Sequence, residues 1–387
     1  MNIKEQILGC LGSTPSRKEF AFSRSSQESR ERFEKSVADF LRAKTYAEGE
    51  RRCRELYFAM LDLHDKYPIL TPAIERLNVE ELYGTHNFAC HRLHFSHQAN
   101  VFLLGLFIYH NFEPLRTEID REMRKTTVEI QTQPQYLPFR YSGVDEYGEF
   151  LYRWRLSSLC HDIGTGIQLC QGREDMLAYS LKRLNFQRPI SSIKELRVFE
   201  DDNLLANLDS ACGFISFSKY AQYQELHPYP DYICHDHGIM GGLIFLQLMH
   251  EAFSRHSKNL VSYNVEGMEV FWHPEILSHS IVQIGMAIAM HNLDKYPQAL
   301  QSYANITTVF DIQRCPLAWL LKVADVLQEW DKPWAREEQT DQNLHTDLEL
   351  IFSDSKIIVK NFPENKRNEA QEVIHNFTWP SNIISFQ

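Results

Sequence analysis

The chain has 387 residues, which at about 150 residues per domain allows two or three domains, or one large core with appendages. Its 43% hydrophobic and 24% charged residues exclude a wholly disordered, collagen-like or coiled-coil protein. The net charge of −11 argues against a broad nucleic-acid-binding surface, but it is compatible with a small site where metal ions attract phosphate.

The sequence predicts a cytoplasmic protein without membrane segments. The longest apolar run, residues 101–109, is shorter than the roughly 18–20 residues that a membrane-spanning helix needs. The first twenty residues include Glu5 and lack the apolar stretch of a signal peptide. The cysteines form no CxxC pair, which favours reduced thiols over a disulfide framework.

Residues 1–80 are predicted to form an N-terminal helical extension. Residues 13–30 are polar and serine-rich, and we expect them to pack loosely. A charge-rich helical pattern follows over residues 31–66. Its interleaved acidic and basic residues indicate a solvated helix face rather than a nucleic-acid patch.

Residues 81–335 are predicted to form a helix bundle. The connection between its first two strong helices contains QPQYLPFRYSGVDEYG, whose proline and glycine content indicates an ordered insertion or lid. The strongest helical patterns cover residues 93–110, 149–161, 239–253, 277–290 and 317–330.

Residues 336–387 are predicted to form a small α+β appendage. The segment LELIFSDSKIIVKNF has two β-rich runs on either side of Asp354 and Ser355, which indicates a hairpin, and residues 369–376 are compatible with one short helix. The expected fold class is therefore all-α, a helical bundle with an N-terminal helical extension and this C-terminal appendage.

Polar residues fall on the apolar stripes of three central helices. His97 is in helical register with the apolar residues of 101–108, and His291 and Asp325 continue the stripes of their own helices. A single buried histidine is more often a hydrogen-bonded core residue than a metal ligand. A buried carboxylate needs a cation, which Lys322 could supply from one turn earlier.

Two further histidines lie where the chain turns. His161 and Asp162 end a predicted helix and are followed by a glycine-containing turn, so their side chains can approach one ion from adjacent backbone positions. His237 follows Asp236, a predicted helix cap, and therefore stands at the positive end of a helix dipole. This position also suits a phosphate group.

These residues together form a set of nitrogen and oxygen ligands. Such a set suits iron, manganese, zinc or nickel better than calcium, and it is larger than one tetrahedral zinc ion needs. We therefore expect two divalent metal ions, with iron or manganese preferred and zinc, nickel or magnesium as alternatives. Asp162 is the expected bridge because a carboxylate has two oxygens to share. The expected ligands are His97, His161, Asp162, His237, His291 and Asp325.

The motifs HRLHFSHQANVFLLG, WRLSSLCHDIG, HDHGIMGGLIFL, AIAMHN and PLAWLLKVADVLQEWD occur in this order over roughly residues 83–331. In this order they resemble the HD superfamily of metal-dependent phosphohydrolases. The resemblance implies an all-helical core and a metal site of His97, His161, Asp162 and Asp325. His237 and His291 match the extra histidines of members that bind two metals.

The motifs indicate the superfamily more clearly than they indicate the substrate. Thr165 stands where the cyclic-dinucleotide phosphodiesterases have lysine, and their GYP signature is absent. The segment GTGIQLC also differs from the corresponding run of the dNTP triphosphohydrolases.

The expected activity is hydrolysis of a phosphoester or phosphoanhydride by metal-activated hydroxide. Asp162 would hold the metals, and Lys322 would either contact phosphate or pair with Asp325. His94 or His235 could donate a proton to the leaving group. Arg155 is expected to extend from its helix to solvent.

The sequence is compatible with two alternative functions, and each makes a distinct prediction. A single-strand nuclease would need an extended basic, aromatic groove, which the acidic balance does not favour. A non-catalytic ligand-sensing or scaffold protein would use its metal for stability alone. The expected partner is a small phosphate-containing substrate, of nucleotide type, rather than extended nucleic acid or a membrane. The sequence leaves a homo-oligomer open.

Overall fold

The structure, a computed structural model, shows a mainly helical protein, as predicted. It describes residues 1–13, 27–44, 46–62, 94–132, 146–165, 237–257, 263–265, 268–270, 274–292, 310–328, 330 and 348–387, with the single residues 206, 209, 216 and 218.

The N-terminal helices are α1 (Ile3–Ser13), α2 (Gln27–Leu41) and α3 (Tyr46–Asp62). The helical pattern over residues 31–66 is thus divided between α2 and α3, which pack against each other. The Glu48 carboxylate accepts a hydrogen bond from the Lys44 backbone N–H at 3.1 Å. This bond stabilises the start of α3 in the manner of a capping residue, so a second helix begins there. Residues 14–26 of the serine-rich segment lie outside the described residues.

The central region contains the five predicted helices, with ends shifted by a few residues. One further helix occupies the first part of the predicted connection, and residues 133–145 of the expected insertion lie outside the described residues. The central helices are α4 (His94–Asn111), α5 (Glu113–Thr132), α6 (Glu146–Cys160), α7 (His237–Ser257), α8 (Pro274–Met290) and α9 (Pro316–Leu327).

Helix α6 lies at the centre of the bundle, where it packs against α4, α5, α8 and α9, and α7 covers α8. The α4–α6 contact is very close. The Trp154 indole N–H donates to the Phe102 carbonyl at 2.9 Å, and a Cβ at Gly105 would lie 1.9 Å from the indole ring. Among the described residues, no helix combines the length and hydropathy needed to cross a membrane.

Short strands accompany the helices. The hairpin predicted around Asp354 and Ser355 is confirmed, with Leu350 opposite Val359 in the antiparallel register, and the predicted helix 369–376 lies inside a longer helix. The remaining elements are β1 (Tyr263–Val265), β2 (Met268–Val270), β3 (Phe310–Asp311), β4 (Glu349–Phe352), β5 (Ile357–Lys360), α10 (Glu364–Phe377), β6 (Thr378–Trp379) and β7 (Ile384–Phe386). β1 and β2 pair antiparallel, β3 and β6 pair parallel, and β4, β5 and β7 form a three-stranded sheet in the order β4-β5-β7.

Helix α1 covers the β4 edge of the three-stranded sheet. The Gln6 side-chain N–H donates to the Leu350 carbonyl at 2.8 Å, and the Gln6 amide oxygen accepts from the Leu350 N–H at 3.0 Å. The amide thereby replaces the hydrogen bonds that a neighbouring strand would make. Ile3 of α1 and Leu350 of β4 belong to the same buried cluster as the central helices, so the hydrophobic core is continuous between these elements.

Candidate metal centre

The structure brings the six predicted ligand residues together at one end of the bundle helices. His97 lies in the first turn of α4 and Asp325 in the last turn of α9. His161 and Asp162 directly follow α6, His291 directly follows α8, and His237 is the first residue of α7. The ligands therefore come from helix ends, where side chains can project beyond the packed helices.

The turn after α6 rests directly on the start of α7. Its backbone is closed by hydrogen bonds from Ile163 N–H to the Cys160 carbonyl at 3.1 Å and from Thr165 N–H to the Asp162 carbonyl at 2.9 Å. A Cβ at Gly164 would lie 2.2 Å from the His237 carbonyl oxygen. Only glycine permits this backbone contact, which holds Asp162 near His237.

A first ligand group contains His97, His161 and Asp162. The Nε2 atoms of His97 and His161 are 3.3 Å apart, and the Asp162 Oδ2 atom lies 3.9 Å and 3.3 Å from them, respectively. Asp325 adds a second carboxylate, with its Oδ1 atom 2.9 Å from His97 Nε2 and 4.0 Å from His161 Nε2.

A second ligand group contains Asp162, His237 and His291. Here the other carboxylate oxygen of Asp162, Oδ1, lies 3.5 Å from His237 Nε2 and 3.9 Å from His291 Nε2. The two oxygens of Asp162 therefore face different pairs of histidines. In each group the potential ligand atoms all lie within 4.8 Å of one another.

Backbone carbonyls orient two of the histidines. His161 Nδ1 lies 2.8 Å from the Ser158 carbonyl oxygen, and His291 Nδ1 lies 2.6 Å from the Ile288 carbonyl oxygen. A carbonyl only accepts, so each Nδ1 must carry the proton, and each neutral ring has its free electron pair on Nε2. Both acceptors belong to the last turn of a helix, where carbonyls lack an intrahelical partner.

The charge pattern of this site fits a bound cation. The Nε2 atoms of His97 and His161 converge on the two nearby carboxylates, and His291 Nε2 is buried without a hydrogen-bond partner in the described part of the chain. Burying such groups is costly unless a positive charge compensates them. The residues His97, His161, Asp162, His237 and His291 could thus hold a metal ion.

Burial lowers the pKa of His291 to about 3, and repulsion from His161 and His237 acts in the same direction. The ring therefore stays neutral, which is the form that binds a metal. In metal-free protein, the unfolded chain binds a proton at this residue below its ordinary pKa of 6.5, whereas the folded chain does not. His291 therefore makes its full contribution to the free energy of unfolding above pH 6.5, and this contribution is lost as the pH falls from 6.5 toward 3.

We therefore expect the stability of chelator-treated protein to fall more steeply between pH 7 and pH 4 in the wild type than in His291→Gln. Denaturant titrations at several pH values measure this difference. Parallel stability curves for the two proteins would contradict the prediction.

The other sequence-predicted residues have different outcomes. Lys322 is buried in α9, one turn before Asp325. His94 begins α4, but its side chain lies outside the described residues, as does the whole of His235. The expectation for Arg155 is wrong, because its side chain is only 2% exposed. Neighbouring helices surround α6, so this long side chain does not reach solvent.

Sequence reasoning missed one buried neighbour of the site. The Gln328 side-chain oxygen lies 2.5 Å from His97 Nδ1. Gln328 follows Asp325 by three residues, and this spacing on an apolar helix face is the signal that could have identified it.

Comparison with protein-family models, with curated proteins and with solved structures finds no match to this chain.

Proposed function

We propose that the chain is a metal-dependent phosphohydrolase of the HD type, which hydrolyses a phosphoester or phosphoanhydride of a nucleotide-like substrate. One observation carries the proposal: each carboxylate oxygen of Asp162 faces its own pair of histidine Nε2 atoms. Shared carboxylates of this kind suit two neighbouring cations. The order of the sequence motifs, which resembles the HD superfamily, also supports it.

His97, His161 and Asp325 would hold one cation together with Asp162, and His237 and His291 would hold the other. Two such cations, iron or manganese by preference, supply an activated water and Lewis-acid stabilisation of phosphate oxygens. Among the described residues, the His237 group offers fewer potential ligands than the His97 group, so a cation held there would have more positions for water and substrate.

The protein's own charges favour a small phosphate substrate over a long polymer. The net charge of −11 repels an extended polyanion, whereas cations at the site attract phosphate locally. Lys322 is buried beside the last turn that carries Asp325, and we propose that its ammonium group contacts the phosphate.

The proposal is tested on the purified 387-residue chain by metal analysis and by a panel of cyclic, mono-, di- and triphosphate nucleotides. We expect up to two divalent ions per chain and hydrolysis of at least one nucleotide class. Chelation should remove the activity, and Mn²⁺ or Fe²⁺ should restore it.

Two outcomes would replace the proposal with another function. If chelation lowers the melting temperature but no compound is hydrolysed before or after, the metal is structural. If a single-stranded oligonucleotide is degraded while mononucleotides stay intact, the protein is a nuclease.

A further inference from the structure

His97 has a different local environment from the histidines that follow helix ends. It lies in the first turn of α4, where the nearby carbonyls accept hydrogen bonds within the helix. By contrast, the carbonyls that orient His161 and His291 lie in final helical turns. The Nδ1 atom of His97 therefore needs an acceptor from elsewhere, and it meets Oε1 of Gln328 at 2.5 Å.

A backbone carbonyl determines which way the Gln328 amide points. The Gln328 Nε2 atom lies 2.6 Å from the Trp330 carbonyl oxygen, so it donates to that oxygen. The opposite orientation would place two acceptor oxygens against each other without a proton between them. The amide oxygen must therefore face His97, and it can only accept. His97 then carries a proton on Nδ1. In the neutral ring its Nε2 faces Asp325 Oδ1, 2.9 Å away, as an electron pair, a contact that calls for a cation at this position.

We infer that Gln328 is a positioning residue of the metal site, which holds His97 in the tautomer that presents Nε2 to the cation. This inference rests on the proposed function, because it assigns a role at the same site. The chain of contacts runs from the Trp330 carbonyl through the Gln328 amide to the imidazole of a ligand. Such supporting bonds fix ring orientation and raise the basicity of the ligand nitrogen.

The position of Gln328 joins its role to that of Asp325. Both lie at the end of α9, and the Gln328 N–H donates to the Ala324 carbonyl at 3.0 Å, which continues the helical bonding by one residue. The Asp325 carboxylate contacts His97 Nε2 at 2.9 Å, while Gln328 holds the opposite nitrogen of the same ring. Residues at the end of α9 thus contact both ring nitrogens of His97. The Gln328 side chain is itself buried.

The first test measures Mn²⁺ affinity of the metal-free full chain by competition with a chelator. Gln328→Leu removes the acceptor, and we expect Mn²⁺ binding to weaken by about 10–100-fold. Gln328→Glu should bind no more than about threefold more weakly than wild type, because it keeps an oxygen that accepts a hydrogen bond from His97 Nδ1.

Gln98→Leu is a matched control. Gln98 is equally buried and is adjacent to His97 in sequence, but its amide oxygen accepts from the Tyr57 hydroxyl at 3.0 Å. We expect this variant to lose stability and to keep its Mn²⁺ affinity. Equal Mn²⁺ affinity of wild type and Gln328→Leu would overturn the inference, as would equal weakening in Gln98→Leu and Gln328→Leu.

A second test reads the tautomer directly. Nitrogen-15 NMR of histidine-labelled, metal-free protein at alkaline pH distinguishes protonated Nδ1 from protonated Nε2. We expect His97 to carry its proton on Nδ1 in the wild type and in Gln328→Glu, and to lose this preference in Gln328→Leu. A wild-type His97 protonated on Nε2 would overturn the inference without any variant.

These measurements are independent of hydrolysis. If the nucleotide panel shows no turnover but the affinity and tautomer results are as expected, the proposed function fails and Gln328 keeps its positioning role. If turnover is found but Gln328→Leu changes neither quantity, the proposed function stands and the inference fails.

Discussion

Under the proposed function, replacement of Asp162 by alanine is expected to remove both cations and to abolish hydrolysis. Within the part of the chain that the structure describes, Asp162 alone belongs to both ligand groups, with Oδ2 facing His97 and His161 and Oδ1 facing His237 and His291. Without the Asp162 carboxylate, the two histidine pairs no longer share a negatively charged ligand. We expect kcat/KM to fall at least about a thousandfold, which corresponds to about 4 kcal/mol of lost transition-state stabilisation. Metal analysis and steady-state kinetics on the best panel substrate check this result.

Two further variants make the Asp162 experiment specific. Asp325→Asn touches only the first group, so the metal content should fall while His237, His291 and Asp162 retain their cation. Asp120→Asn is the control, because this half-buried carboxylate accepts its hydrogen bond from the Tyr109 hydroxyl at 2.6 Å. It should leave metal content unchanged. Wild-type metal content and activity in Asp162→Ala would refute the proposed site.

Gly164→Ala is expected to destabilise the protein and to disrupt the second ligand group. The added Cβ would lie 2.2 Å from the His237 carbonyl oxygen and 2.6 Å from the Gly241 nitrogen. Both are backbone atoms, so no side-chain rotation can relieve the overlap, and the turn must move away from α7. We expect a loss of about 3 kcal/mol in the free energy of unfolding. Movement of the turn away from α7 would also separate Asp162, which lies in the turn, from His237, which begins α7. Metal binding by the second ligand group should therefore weaken as well.

Gly9→Ala is the matched control for this substitution. Gly9 lies on the exposed side of α1, and nothing lies within 4 Å of the Cβ position. Alanine is the better helix former by about 1 kcal/mol, so this variant should be unchanged or slightly more stable. Denaturant titration and metal analysis compare the two proteins. Wild-type stability and metal content in Gly164→Ala would show that the turn and α7 are not in direct contact.

Much of the bundle could be predicted because its helices bury continuous apolar stripes. The same stripes identified His97, His291 and Asp325, since a polar side chain in register with an apolar face must point inward. Helix α5 was missed because its apolar stripe is narrow and its remaining positions are mostly charged, which resembles a polar connection. The buried residues of that stripe are Leu115, Ile119 and Met123.

Other features of the site depend on contacts between distant segments. The close backbone contact between Gly164 and the start of α7 depends on where the turn after α6 crosses α7. No local sequence pattern predicts that crossing. The hydrogen bond between Gln328 and His97 joins residues that are far apart in the chain. The position of each Asp162 oxygen next to its own histidine pair likewise depends on how distant helix ends come together, although the carboxylate chemistry of Asp162 alone predicts it as the bridge.

The contact between Gln6 and Leu350 bears on how the protein behaves at high concentration. An outer strand with unsatisfied amide and carbonyl groups is a template on which another copy of the chain can add a strand and begin an aggregate. At β4 the Gln6 side chain occupies the amide and carbonyl groups of Leu350. Partial detachment of α1 would uncover them while the bundle stayed folded, so self-association through β4 would then precede global unfolding.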